Sequence, residues 1–258
     1  MQENELMSER KADTLLKICS LLMTSGANTS RIFVHLKRFS DLIKVDAQVF
    51  IDHKAFIITL LDNETQQKTT QIRRLPGHGI NFAVLSALSR AGLKAKTENW
   101  TFEQIDAEVD RIAGLKHYPR IVILIAVSFS GAGFCNLFGG DIVNMLIAFF
   151  ATMGGLFVRQ EAVKRKFNPY VSVLFGAFVA ASLASSTSVL LNHTDIHLAI
   201  ATSVLFLIPG VPLINSVTDI LDGYIITGSV RFINGFVFVL AIALALFMVM
   251  YLFSIQNL

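Results

Sequence analysis

The stretch Leu205-Phe206-Leu207-Ile208-Pro209-Gly210-Val211-Pro212-Leu213-Ile214-Asn215-Ser216-Val217-Thr218-Asp219 decides how the rest of the chain is read. An apolar run from Leu198 reaches Ile208 and then meets a proline, which lacks a backbone donor and closes off the helical ladder. That is short of the roughly 20 apolar residues a spanning helix needs. Unpaired backbone groups are costly in hydrocarbon, so a break at membrane depth persists only where protein or a water-filled cavity satisfies it. In transporters such breaks mark substrate sites. The stretch therefore points to a membrane pathway lined by Pro209, Gly210, Pro212, Asn215 and Asp219. A helix end meeting a loop is the plainer reading of the same prolines, and Asn215 can equally cap the next helix.

Composition divides the chain in two. Its 258 residues are 53% hydrophobic, with formal net charge +3 and mean hydropathy +0.58, too apolar for an ordinary soluble domain. Asp, Glu, Lys and Arg number 31 in residues 1–120 and 10 in residues 121–258. The expected organisation is a cytosolic domain over 1–118 and a membrane domain over 119–258. Glu3, Glu5, Glu9, Arg10, Lys11 and Asp13 leave no apolar core for an N-terminal signal peptide. Cys19 and Cys135 fall on opposite sides of the division and in no Cys-x-x-Cys pair, so both read as buried thiols.

The first part reads as α+β. Leu15, Ile18, Cys19 and Leu22 recur at helical spacing within Ala12–Met23, and Ile32, Leu36, Phe39 and Ile43 do so in a second helix. Between them, Ser25-Gly26-Ala27-Asn28-Thr29 offers a glycine C-cap followed by an Asn or Thr N-cap. Val45–Leu61 is rich in β-branched and aromatic residues, Asp62-Asn63-Glu64 supplies a turn, and Thr69–Leu75 returns as a partner strand. Two more helices fit Asn81–Ala91 and Thr101–Ala113, the latter with Thr101 and Gln104 spaced as a capping box.

The second part reads as all-α, with five transmembrane helices at 121–138, 142–158, 170–191, 197–214 and 232–253, the fourth broken. Lys116, Arg120, the Arg159-Lys164-Arg165-Lys166 cluster and Arg231 then fall on one side. The Gly139-Gly140-Asp141 turn, the Asn192–His197 loop and the tail after Phe253 carry no Lys or Arg. The bias places the first domain in the cytoplasm and the C-terminus outside. In the third span Gly176, Ala180, Ala184 and Ser188, with Ala177, Ala181 and Ser185 alongside, permit close approach of a neighbouring helix. That helix belongs to the bundle or to an oligomer.

Ionisable residues in such a domain are functional candidates by default. Asp141, Asp219 and Asp222 are the candidates for ion or proton coupling, the last two in an i,i+3 relation that lets them share a helix face. Each also has a plain role open to it, as a helix cap or as the partner of Arg231. His193, Asp195 and His197 have spacing compatible with a metal, but a short polar loop is their commoner setting, and no metal is expected. Gly77-His78-Gly79 reads as a turn, and no Walker or Gly-x-Gly-x-x-Gly pattern occurs, so no nucleotide or other cofactor is expected. Ser130 lacks the Gly-x-Ser-x-Gly setting of a nucleophile elbow, and Asp46, Asp52, His53 and Asp62 are scattered rather than clustered. No enzyme chemistry is expected. Lys164-Arg165-Lys166 reads as a topology or headgroup signal rather than a nucleic-acid patch.

The Pro209-Gly210-x-Pro212-x-x-Asn215-x-x-x-Asp219 signature, the α+β domain and the five spans together resemble the threonine/serine exporter family, in its first-half, larger subunit. Ser25-Gly26-Ala27-Asn28-Thr29-Ser30-Arg31, with Gly26 and Arg31, and Leu137-Phe138-Gly139-Gly140-Asp141 support the resemblance. It implies a small second-half membrane subunit as obligatory partner. It also implies a proton-motive-force-driven exporter of threonine and serine in a bacterial inner membrane, or of a dicarboxylate such as succinate. Many relatives carry an acidic residue two positions after the arginine equivalent to Arg31; here that position is Phe33. The rival reading is a membrane-anchored sensor or enzyme whose cytosolic domain binds the ligand.

Overall fold

A computed structural model of the chain describes residues 2–52, 55–75, 79–115, 118–190 and 196–253. His53, Gly77, His78, Lys116, His193, Asp195 and the tail after Phe253, all weighed above, lie outside them. The chain forms two compact units, Met1–His117 with Val211–Phe232, and Tyr118–Gly210 with Ile233–Leu258.

The first unit opens with α1 (Gln2–Thr24) and α2 (Thr29–Leu42), followed by β1 (Val45–Ile51), β2 (Ala55–Asp62), β3 (Lys68–Arg74), α3 (Phe82–Thr97) and α4 (Phe102–Ala113). Helix α1 starts well ahead of Ala12, because helical bonding continues through polar, partly exposed turns that apolar spacing does not register. Its Leu15, Ile18, Cys19 and Leu22 are fully buried and pack with Ile32, Leu36 and Phe39 of α2. The capping box of α4 forms with both halves in place. The region expected to form a hairpin or small sheet is a three-stranded antiparallel meander in the order β1-β2-β3, with an additional reversal between Asp52 and Ala55. Phe56, Ile58 and Leu60 point into the core at 0% exposure, while Ile57 and Leu61 point away from it.

Beneath the sheet, Lys11 Nζ donates to Asp62 at 2.7 Å, and both side chains are almost wholly buried. Burial alone raises the carboxyl's pKa. The Lys11 hydrogen bond, the backbone N–H groups of Glu64 and Thr65 and the Lys11 charge outweigh that and hold it below the ordinary aspartate value. Cys19 is a free, buried thiol whose pKa burial pushes up to about 12. Cys135 is likewise free and buried.

The second unit contains α5 (Arg120–Leu137), α6 (Ile142–Lys164), α7 (Pro169–Leu190), α8 (Ile196–Ser203) and a short 3-10 turn at Leu205–Leu207. Helix α9 (Gly210–Leu221) falls almost wholly in the first unit, and α10 (Ile225–Leu252) begins there and continues into the second. Among the described residues, four helices are long and apolar enough to cross a membrane, and a bent pair, His197–Leu207 with Gly210–Leu221, makes a fifth if counted as one span. The small-residue face of α7 is buried as expected, with Ala177, Ala180, Ala181, Ala184 and Ser185 at 0% exposure. At its crossing with α6, a Cβ on Gly155 would lie 2.6 Å from the Gly176 carbonyl and from Ala180 Cβ.

Several expected boundaries move, among them the end of α6, which runs to Lys164 rather than 158, and two of them bear on the site. Helix α10 starts at Ile225 rather than Phe232, so Arg231 lies inside a helix instead of a loop. The polar Thr227, Gly228, Ser229 and Arg231 interrupt apolarity without interrupting backbone hydrogen bonding. The break before α9 is also narrower than the proline pair suggested. Ile208 is extended, and the Gly210 N–H donates back to the Ile208 carbonyl at 2.8 Å around Pro209. Pro212 sits in the first turn of α9, where a missing N–H costs no helical bond.

Candidate functional site

The site is built on the end of α1. A helix leaves its last carbonyls without intrahelical partners. Here the Ala27 and Gly26 N–H groups return to the Leu22 and Met23 carbonyls, with Gly26 at φ +101°, the glycine-terminated helix end that a left-handed residue permits. Four successive carbonyls then point outward, and each receives a donor from elsewhere in the first unit. The Gly79 N–H reaches Thr24 and the Asn81 N–H reaches Ser25, at 3.0 and 3.1 Å. Asn215 Nδ2 donates to Gly26 at 2.8 Å, and Arg231 Nη1 donates to Ala27 at 3.1 Å.

The next residues start α2. Asn28 is its N-cap and accepts from the Arg31 N–H at 3.2 Å. At Thr29 the helix N-terminus presents an N–H and a hydroxyl, and both are taken by Asp219. The amide donates to Oδ1 at 2.7 Å and Thr29 Oγ1 donates to Oδ2 at 3.0 Å. Arg231 closes the arrangement with Nη1 3.1 Å from Asp219 Oδ2. Asp219 is 0% exposed and Arg231 8%. A carboxylate at a helix N-terminus, beside a guanidinium, meets both the helix dipole and charge-assisted donors.

Asn215 and Asp219 are four apart on α9 and share one face. That face clasps the 25–29 loop, so two separate motif stretches of the sequence meet at one place. Of the coupling candidates, Asp219 alone is buried. Asp222 is exposed beyond the end of α9, so the shared face is divided between core and surface. Asp141 is exposed and N-caps α6, accepting from the Asn144 N–H at 2.8 Å. Arg31 is exposed and donates to Ser89 Oγ at 3.1 Å, and Ser89 in turn lies 3.2 Å from His35 Nε2. His35 is buried at 4% exposure, and its Nδ1 has no hydrogen-bond partner among the described residues.

Sequence reasoning missed Thr29 and Arg231 as site residues. Thr29 lay in plain view as the residue after the N-cap, and Arg231 is the one cation after Lys166. It also missed Asn144, buried within the second unit with no partner for Oδ1 among the described residues, and Thr152, whose Oγ1 donates to the Ser203 carbonyl at 3.3 Å. Among the described residues, no group of three or more His, Cys, Asp or Glu is placed to hold a metal ion.

A family model described as "Putative threonine/serine exporter" matches residues 13–253. The chain is 28% identical over 255 residues to a "Probable succinate transporter subunit YjjP" of Klebsiella aerogenes, covering 97% of each chain. It is 27% identical to the protein of that name from Escherichia coli strain K12, over 96% of this chain and 98% of the other. A "Probable threonine/serine exporter" of Mycobacterium tuberculosis is 20% identical over 88% of this chain and 43% of its own length. No solved structure matches.

Proposed function

We propose that this chain, which belongs to the threonine/serine exporter family, works as one subunit of a secondary exporter of small, carboxylate-bearing polar metabolites driven by the proton-motive force. The observation that carries the proposal is the buried Asp219–Arg231 pair seated on the N-terminus of α2. An ionisable pair contributed by apolar helices is expensive to bury and marks a working element. This pair also has two chemically distinct conditions. With Asp219 ionised, Thr29 and Arg231 are both satisfied and the clasp is closed. With Asp219 protonated, the charge that holds Arg231 is gone and α9 is released from the loop. A proton-driven carrier needs a two-position element of this kind. Pro209, Gly210, Pro212, Asn215 and Asp219 form the moving segment in this reading, and Asp219 is preferred over Asp141 and Asp222 as the proton-coupled group.

Threonine and serine are the proposed substrates. A dicarboxylate is the second reading, favoured by the near-complete two-way coverage of the succinate-named relatives. The word "subunit" in those names supports a heteromeric assembly, and the family resemblance supplies the partner, a small membrane protein with the remaining spans. The Lys and Arg bias supports a multi-pass inner-membrane protein with the N-terminal domain over 1–118 cytoplasmic and the C-terminus outside.

The test is co-expression with a small membrane partner of the same family in cells loaded with threonine- or serine-containing dipeptides, or with succinate. Release of the free metabolite is measured across a range of pH gradients, for the wild type and for Asp219→Asn. The expected result is release that needs both chains, with the gradient dependence lost in Asp219→Asn while membrane insertion and partner association persist. Release by Asp219→Asn with unchanged gradient dependence sinks the coupling role; no release of any of the three metabolites sinks the transport reading.

A further inference from the structure

The sheet of the first unit buries one face and leaves the other open, and the open face has a pattern. Cross-strand neighbours make four rows, read from β1 through β2 to β3. Asp46, Leu61 and Lys68 form one; Gln48, Thr59 and Thr70 the next; Phe50, Ile57 and Ile72 the third. Ala55 and Arg74 pair in the fourth. Phe50 is 66% and Ile72 69% exposed, and Ile57 and Leu61 are each 36% exposed. An aligned aromatic and aliphatic row in water is an unusual thing for a sheet to display. The flanking charges are sorted by strand: the outward charge on β1 is acidic at Asp46, and those on β3 are basic at Lys68 and Arg74.

We propose that this face is a contact between two copies of this chain, packed sheet on sheet about a two-fold axis parallel to β2. Face-to-face sheets lie about 10 Å apart with strands nearly aligned, so the axis direction decides which side chains meet. An axis along the strands lays β1 of one copy over β3 of the other at the same row. Asp46 then faces the second copy's Lys68 twice over, Phe50 faces Ile72 twice, and Ile57, Thr59 and Leu61 each meet their own counterpart near the axis. An axis across the strands instead lays β1 on β1 and puts Phe50 against Asp46. Only the first arrangement joins apolar to apolar and acid to base, which is the self-complementarity that an isologous interface demands.

Three strands at about 4.8 Å spacing and seven residues at about 3.4 Å give each copy a face of only a few hundred Å². Doubled over both copies, that stays below the roughly 1,000 Å² that a stable specific interface clears, so by itself this is a weak contact. Confinement of both copies to one bilayer raises their effective concentration and assists so small a contact. The inference does not depend on the transported substrate.

The test uses the full chain in membranes, with single cysteines at Ile57→Cys, beside the axis, and at Leu93→Cys, 55% exposed on α3, treated with a bismaleimide of about 10 Å reach. The native Cys19 and Cys135 are buried and give a low background. The expected result is a dimer yield at Ile57→Cys at least ten times that at Leu93→Cys. Asp46→Lys or Lys68→Asp added to Ile57→Cys cuts the yield several-fold, and the two together restore it. Equal yields at the two cysteines, single reversals without effect, or a double reversal as low as the singles each overturn the proposal.

Discussion

Phe33 of α2 and Tyr224, just before α10, lie stacked with ring centroids 5.4 Å apart and planes 14° from parallel. The family resemblance leads one to expect a carboxylate where Phe33 stands. Here the position makes an aromatic contact instead. Such a pair contributes about 1 kcal/mol beyond its buried area. A double-mutant cycle with Phe33→Ala and Tyr224→Ala, read from denaturant unfolding in mixed micelles, should show coupling of about that size; strictly additive losses would show that the rings merely lie close.

Removing Asp219 as Asp219→Ala leaves Arg231 buried without its partner, and losses of about 3–5 kcal/mol follow from breaking a buried pair in this way. Replacing both, as Asp219→Leu with Arg231→Met, should cost much less than the sum of the singles. Limited proteolysis of the purified chain is the readout. Asp219→Ala should expose new cleavage around residues 25–29, and a digestion pattern identical to wild type would contradict the clasp.

His35 is held neutral: burial, then the charges of Arg38 and Arg31, lower its pKa to about 4 from an ordinary 6.5. The unfolded chain therefore binds the proton first. Stability attached to His35 is fully present above the unfolded value and falls away as pH drops from about 6.5 toward 4, by up to about 3 kcal/mol. Thermal melting at pH 7.5 and 5 should show a clear drop that His35→Gln reduces. An equal drop in the variant would place the acid sensitivity elsewhere.

The α6–α7 crossing tolerates no side chain at Gly155, where an added Cβ meets the Gly176 carbonyl and Ala180. Gly155→Val should destabilise by about 2 kcal/mol or more through overpacking. Gly133→Ala, which meets nothing within 4 Å, is the matched control. Size-exclusion recovery after heating in detergent should separate the two, and equal recovery would mean that α6 slides aside at little cost.

Much of this architecture was legible in the chain because its signals are local. The capping box at Thr101, the glycine end of α1, the small-residue face of α7 and the apolar runs each depend on neighbours a few residues away. The three-stranded meander was half legible: the turn after Asp62 has its Asn and Glu, whereas the reversal after Asp52 falls inside a run of strand-forming residues. The pairing of the 25–29 loop with Asn215, Asp219 and Arg231 was not legible. Both stretches could be recognised separately, but a contact between residues 190 apart in sequence, such as Thr29 and Asp219, leaves no periodic trace in a single chain. The place of Pro212 in its helix was not legible for a different reason. Proline breaks a helix interior and suits a first turn, and one sequence does not say which turn it occupies.

The four carbonyls from Thr24 to Ala27 also set an order of events during synthesis. Residues 79 and 81 emerge from the ribosome soon after residues 24 and 25, and can complete half of the loop at once. The donors for Gly26 and Ala27 arrive only with Asn215 and Arg231, after the intervening hydrophobic helices have been made. Until then the N-terminal region carries a helix end with two open acceptors and an unoccupied Thr29. A nascent chain stalled before residue 215 is an unfinished first unit, however complete its sheet and helices, and the 25–29 loop closes long after it has itself been translated.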